Sequence, residues 1–102
     1  MYEILWMYEV STDMRARFEQ VYGPSGEWAR LFAQADGFVE VVLARADDAT
    51  NTYMTIDRWC DRQAYEDFQR RFAQSYQELN ASLSELSTNQ VRIGSFSRVI
   101  DG

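Results

Sequence analysis

Between Thr52 and Tyr65 the chain reads TYMTIDRWCDRQAY, which sets a phenol, a hydroxyl, a carboxylate and an indole at every second position. Side chains of an extended strand alternate between faces, so Tyr53, Thr55, Asp57 and Trp59 share one face and Met54, Ile56 and Arg58 the other. Asp61 has the chemistry of a helix cap and opens a helix that carries Tyr65. Such a junction can shape a site for a flat organic molecule: rings stack, the hydroxyl and phenol form hydrogen bonds, and the carboxylate takes a proton. Packing accounts for the same residues, because an aromatic at a strand end commonly serves a core.

The chain has no histidine. The side chain that normally titrates near neutral pH is therefore missing, and any acid-base work falls to groups moved from their ordinary range. Asp57 is a candidate base if burial raises its pKa, and otherwise a partner for an arginine such as Arg98. Cys60 or Tyr65 would need the opposite perturbation, and Cys60 reads more simply as a small buried hydrophobe. Ser-His-Asp and Cys-His arrangements are excluded. With one cysteine, so are an intrachain disulfide and a cysteine-rich zinc site. Asp47 and Asp48 lack the spaced ligands of a calcium loop and read as a solvated turn. Gly23, Gly26 and Gly37 match neither a dinucleotide fingerprint nor a phosphate loop, which also lacks its lysine. The expectation is a protein with no metal, flavin or haem.

At 102 residues the chain has room for one domain, expected to span 1–102. Apolar residues make up 46% and aromatics 15%, more than one small core uses, so some of that surface is expected to meet a partner. The net charge of −6, with arginine as the only basic residue, opposes binding to nucleic acid or to an anionic membrane. The start Met1-Tyr2-Glu3 shows no signal-peptide pattern and no run is long enough to span a bilayer, which makes the cytoplasm the expected location.

Several elements must position these residues. Tyr2 to Val10 reads as a strand with Tyr2, Ile4, Trp6, Tyr8 and Val10 on one face, and with Leu5 and Met7 making the other face apolar at its centre. Ser11, Thr12 and Asp13 offer caps for a helix with Phe18, Val21 and Tyr22 on one stripe. Gly23 to Gly26 interrupts this helix. It resumes with Trp28, Leu31, Phe32 and Ala35 and stops at Asp36-Gly37. Phe38 to Ala46 and the strand from Tyr53 form a hairpin over a polar turn. From Tyr65 the chain places Phe68, Phe72, Tyr76, Leu79, Leu83 and Leu86 at steps of three and four, predicting one long helix or two with a break near Ser75. Val91 to Val99 supplies a last strand, with Val91, Ile93 and Val99 on one face and Phe96 on the other.

The order strand, helix, strand, strand, helix, strand is that of an α+β, ferredoxin-like split βαβ sandwich with both helical segments on one side of the sheet. The opposite face is then apolar and bare. A second copy of the same face is its simplest cover, which predicts an obligate homodimer.

With that order in place, the sequence resembles the antibiotic biosynthesis monooxygenase family of dimeric α+β barrel proteins. The resemblance rests on FEQVYGPSGEWARLF from Phe18 to Phe32, ADGF from Ala35 to Phe38, and YMTIDRWCDRQAYEDF from Tyr53 to Phe68. It implies a pocket between sheet and helices for small aromatic or polyketide-like substrates, and oxygenation with O2 by members that use no cofactor. Trp59 falls at the family's pocket tryptophan and Tyr65 at its tyrosine on the following helix. Where polyketide-oxidising members carry an asparagine, four residues before the tryptophan, this chain has Thr55, which cannot present the separate donor and acceptor of a carboxamide. No matching arginine is identifiable farther along. The haem-degrading branch requires a histidine that is absent.

Two classes of function follow. In the first, a cofactor-independent monooxygenase, Trp59, Tyr65 and Thr55 position a phenol or quinol and Asp57 serves as base, with Tyr53, Phe68 and Phe72 completing the substrate pocket. In the second, a dimeric module binds a small aromatic ligand without catalysis. An isomerase or cyclase on the same scaffold is a third possibility.

Overall fold

The computed structural model describes residues 1–100. Four strands, β1 (Tyr2–Glu9), β2 (Phe38–Arg45), β3 (Thr52–Trp59) and β4 (Asn89–Ser97), form one antiparallel sheet in the order β2-β3-β1-β4. Four helices, α1 (Arg15–Tyr22), α2 (Glu27–Phe32), α3 (Arg62–Arg71) and α4 (Ala73–Ser82), fill the two crossovers. The fold is the expected α+β ferredoxin-like one.

Both crossovers are bent, the first at the Gly23–Gly26 segment and the second at Phe72. Between α1 and α2, Gly26 lies so close to the end of α1 that a Cβ would stand 2.1 Å from the Val21 carbonyl oxygen. The first turn after β1 is a 3-10 turn over Thr12–Met14, and no side chain caps it or α1. Asp61 does cap α3, its carboxylate accepting from the Ala64 amide at 2.8 Å, a bond typically worth ~1 kcal/mol. The second crossover breaks at Phe72, three residues before the position expected. There the backbone leaves helical geometry at φ −117°, ψ 21°, while the ring stacks on Phe68. The bend turns Tyr76 toward Trp28, ring centroids 5.0 Å apart.

Gly37 has φ +85°, and a Cβ there would come within 2.6 Å of Ala64 Cβ and 2.8 Å of Cys60 Sγ. Its carbonyl accepts the Cys60 amide at 2.7 Å, tying the loop before β2 to the start of α3. Cys60 itself is exposed and not the buried hydrophobe its neighbours suggested, because the chain has already left the sheet at Trp59.

Register decides which residues meet. Tyr2, Ile4, Trp6 and Tyr8 pair with Trp59, Asp57, Thr55 and Tyr53, and across β3 Val41 and Leu43 pair with Asp57 and Thr55. These residues face the helices, where Phe18, Val21, Trp28, Leu31, Phe32 and Phe68 close the core. On the helix-free face, one rung joins Glu3, Arg58 and Glu40, with Arg58 to Glu3 at 2.7 Å and to Glu40 at 2.8 Å. Hydrogen bonding from Arg98, aided by Arg58, holds the Glu3 carboxyl below its ordinary range. The next rungs are apolar: Leu5, Ile56 and Val42, then Met7, Met54 and Ala44.

β4 departs from simple alternation. Its pairing with β1 shifts between Leu5 and Trp6, where Ile93 is the extra residue and Gly94 has φ +155°. The bulge reverses the parity, so Phe96, opposite Glu3, shares the helix-free face with Val91, opposite Met7. The expected split between Val91 and Phe96 therefore does not occur, and Val99 lies beyond the strand. Phe96 and Val91 are each 49% exposed.

Candidate active site

Two adjoining cavities lie between the helical layer and the sheet. The inner one has a volume of about 30 Å³, enough for a water molecule and too small for an aromatic ring. Asp57 and Thr55 of β3 and Trp6 and Tyr8 of β1 form its floor, and Tyr22, Trp28 and Tyr76 come from the helices. Gln90 of β4 and Asn80 of α4 add amides. The outer cavity measures about 310 Å³ and lies against α3 and α4, with Tyr65, Phe68, Gln69, Tyr76 and Gln77 on one side and Trp6 and Arg92 on the other. Trp6 and Tyr76 line both cavities and so separate them.

Asp57 is the carboxyl group of this site. It projects from the centre of the sheet between Ile4 and Val41, both buried, and among the described residues no arginine pairs with it. The expected alternative, an ion pair, does not form: Arg58 points to the opposite face and Arg98 binds Glu3. Enclosure in protein pushes its pKa up to about 7 from the ordinary 3.8, because a charge there loses its hydration with no cation in return. The surrounding phenols move the other way from use as bases. Burial raises Tyr8, Tyr22 and Tyr65, and raises Tyr76 to about 12, so all four remain neutral hydrogen-bonding groups at neutral pH.

The site residues expected from sequence are only partly brought together. Thr55 and Asp57 lie on the inner cavity, Tyr65 and Phe68 on the outer one. Trp59 sits one layer behind, at 0% exposure, with Phe32, Phe38, Tyr65 and Phe68 around it at ring-centroid distances of 5.1 to 5.7 Å. It backs the cavity wall without lining either cavity. Tyr53 is also buried away from both: its hydroxyl donates to Glu19 Oε2 at 2.5 Å and accepts from Arg15 Nε at 3.3 Å. Phe72 packs on Phe68 at the helix break and carries the Arg71 guanidinium over its ring at 5.6 Å. Trp6, Tyr8, Tyr76 and Arg92 were not singled out from sequence. The shared strand face of Trp6 and Tyr8 and the helical step from Phe72 to Tyr76 were the available signals.

The position of Trp59 makes a prediction. Truncating it to alanine removes a ring from a closed aromatic cluster and should cost about 3 to 5 kcal/mol of stability in denaturant unfolding. Trp59→Phe keeps most of that packing and deletes an indole N–H that has no hydrogen-bond partner. It is expected to change the affinity for an aromatic ligand by no more than about twofold. A large affinity loss in a fully folded Trp59→Phe protein would place the indole in the site.

The profile of the antibiotic biosynthesis monooxygenase family matches residues 1–81. The chain belongs to this family. Among solved structures of the fold, an Asn-to-Ala variant of SnoaB, a cofactor-independent oxygenase from Streptomyces nogalater, is 25% identical and superimposes with a TM-score of 0.73 over 98% of this chain and 94% of its own. A Deinococcus radiodurans protein assigned to the same family is 13% identical, with a TM-score of 0.76 over 99% and 95%. One from Bordetella bronchiseptica is 19% identical, with a TM-score of 0.70 over 97% of each chain. No curated protein matches this chain significantly. Family membership agrees with the resemblance read from Phe18 to Phe32, Ala35 to Phe38 and Tyr53 to Phe68, and the low identities leave the chemistry to be argued from the residues here. Among the described residues no cluster of three or more His, Cys, Asp or Glu side chains could hold a metal ion, and no helix is long and apolar enough to cross a membrane.

Proposed function

We propose that this chain is a cofactor-independent monooxygenase that oxidises a small phenolic, polyketide-like substrate with O2. The observation that carries the reading is Asp57: an unpaired carboxyl, raised to about 7, on a polar cavity just behind one of ring-binding size. The aromatic ring occupies the outer cavity between Trp6 and Phe68, with its hydroxyl toward Tyr76. Asp57 receives the phenolic proton through the Tyr76 hydroxyl or a water in the inner cavity, since a ring does not fit beside the carboxylate itself. The resulting phenolate transfers one electron to O2, the superoxide and phenoxyl radicals combine at a ring carbon to form a C–O bond, and the peroxide takes back the proton held by Asp57. The hydroperoxide then loses water to leave a quinone, so that phenol plus O2 gives quinone plus water. Neutral Tyr76, which lines both cavities, donates a hydrogen bond to the oxyanion as it develops. The relation to SnoaB supports this reaction class.

Thr55 favours a second reading, a binding module without chemistry, because its single hydroxyl replaces the carboxamide of the family's polyketide-oxidising members. Oxygen uptake separates the two. With a dihydroxynaphthalene or an anthrone, the purified protein is expected to consume O2 and form quinone in equal amounts, undiminished by chelators, and Tyr76→Phe should slow this by about 10- to 100-fold. Ligand-dependent tryptophan quenching without oxygen uptake across such a panel would select the binding module. We propose further that two copies pair through the helix-free sheet face.

A further inference from the structure

The outer cavity has a cation on its wall that the oxidation itself does not use. Of the ten arginines, seven pair with carboxylates among the described residues, Arg15 hydrogen-bonds Tyr53 and Arg71 covers Phe72. Among the described residues Arg92 has no carboxylate partner. It projects from β4 opposite Trp6 toward the helices and is exposed, which places its guanidinium on the solvent side of the cavity lining. Beside it stands Tyr65, whose hydroxyl oxygen accepts from Gln69 Nε2 at 3.0 Å. Tyr65 also interacts with Arg92 itself, and a phenol that accepts from such donors keeps its own O–H to donate.

We infer that Arg92 and Tyr65 form a carboxylate-binding subsite, and that the substrate is a fused-ring phenol bearing a carboxylate at the end remote from its reacting hydroxyl. This deepens the monooxygenase reading and rests on it for the orientation of the ring. The arrangement is two-ended. Arg92 lines the outer cavity and Asp57 the inner one, with Trp6 and Tyr76 between them on both, so the cation and the carboxyl lie on different cavities either side of that pair. An acid seated on Arg92 directs its other end toward Tyr76 and the inner cavity. In a chain of net charge −6, an anionic substrate also needs such a local cation to enter against the overall field. A guanidinium presents paired N–H groups that match a carboxylate, and the Tyr65 hydroxyl adds a third donor.

The test compares 6-hydroxy-2-naphthoate with its methyl ester by tryptophan quenching and calorimetry at low salt, in the wild-type protein and in Arg92→Gln. Arg92 is exposed, and circular dichroism checks that the variant is folded. The acid should bind wild type about tenfold or more tightly than the ester, the preference should shrink with added salt, and Arg92→Gln should abolish it while leaving ester binding unchanged. Equal affinities in wild type, a preference that survives in Arg92→Gln, or failure of both compounds to bind would each overturn the subsite. Oxygen uptake keeps the two readings apart. Arg92-dependent binding of acids with no turnover of any phenol supports the subsite and removes the monooxygenase, whereas equal turnover of acid and ester supports the monooxygenase and removes the subsite.

Discussion

Replacing Asp57 with asparagine is expected to abolish most of the oxygen uptake and, at the same time, to make the protein more stable at alkaline pH. Both effects come from the same loss of hydration, since Asp57 is only partly exposed and has protein on its cavity side. The folded carboxyl keeps its proton up to pH about 7, whereas the unfolded chain releases it near 3.8. Between those values the folded state binds the extra proton, so stability falls as pH rises through this window and the full penalty is present above it. The penalty is at most roughly 4 kcal/mol, and asparagine avoids it at the cost of an amide that also needs partners. Urea unfolding of wild type should therefore weaken from pH 4 to pH 8, while Asp57→Asn should show a flatter profile and a gain of about 2 to 3 kcal/mol at pH 8. Catalysis requires the ionised form, so kcat/KM should rise through pH about 7 and level off. Losing the proton acceptor should cost on the order of 10² to 10⁴ in rate. An Asp57→Asn variant that is more stable yet fully active would remove Asp57 from the mechanism.

The second large effect concerns assembly. The chain should sediment as a dimer at micromolar concentration, because the rungs Leu5, Ile56 and Val42, and Met7, Met54 and Ala44, run into exposed Val91, Ile93 and Phe96 without a covering layer. The ionic rung of Glu3, Arg58 and Glu40 bounds this apolar area on one side, and with Arg98 on Glu3 its charges are matched within the chain. A two-fold axis would place equal surfaces in contact and bury the apolar rungs. Ile56→Arg puts a charge at the centre of that surface and should cost about 3 to 5 kcal/mol, enough to yield a partly unfolded monomer. The thermal midpoint of wild type should also rise with protein concentration, as expected when folding and association are linked. A wild-type chain that sediments as a monomer and unfolds at a concentration-independent temperature would sink the dimer.

What was legible in the sequence was whatever depends on local periodicity. Alternation in Tyr2 to Val10 and in Thr52 to Trp59 marked the two central strands, and steps of three and four from Tyr65 marked the second helical segment. Asp61 was recognisable as a cap because one side chain and an amide three residues later suffice to make it. The face carrying Thr55 and Asp57 was readable too, since parity along a strand needs no partner. The bulge in β4 was hidden for the converse reason: an extra residue shows itself only against β1, and Phe96 changed face with it.

The site needed the tertiary structure. Asp57 has the same sequence neighbours whether it meets an arginine or a wall of aromatics, and only the packed structure, with Ile4 and Val41 on either side and Arg58 and Arg98 held by Glu3, leaves it without an ion pair among the described residues. Trp59 and Trp6 are both indoles at alternating strand positions, yet Phe32, Phe38 and Phe68 enclose the first while the second borders both cavities. Arg92 reaches the outer cavity from the far end of the chain because β4 lies beside β1. Periodicity assigns each side chain a face of its own element, and it was sufficient for the layers of the fold. Desolvation of a carboxyl, enclosure of an indole and exposure of a guanidinium to a cavity depend on what other elements bring opposite them, and that is set only when the sheet and its helices pack.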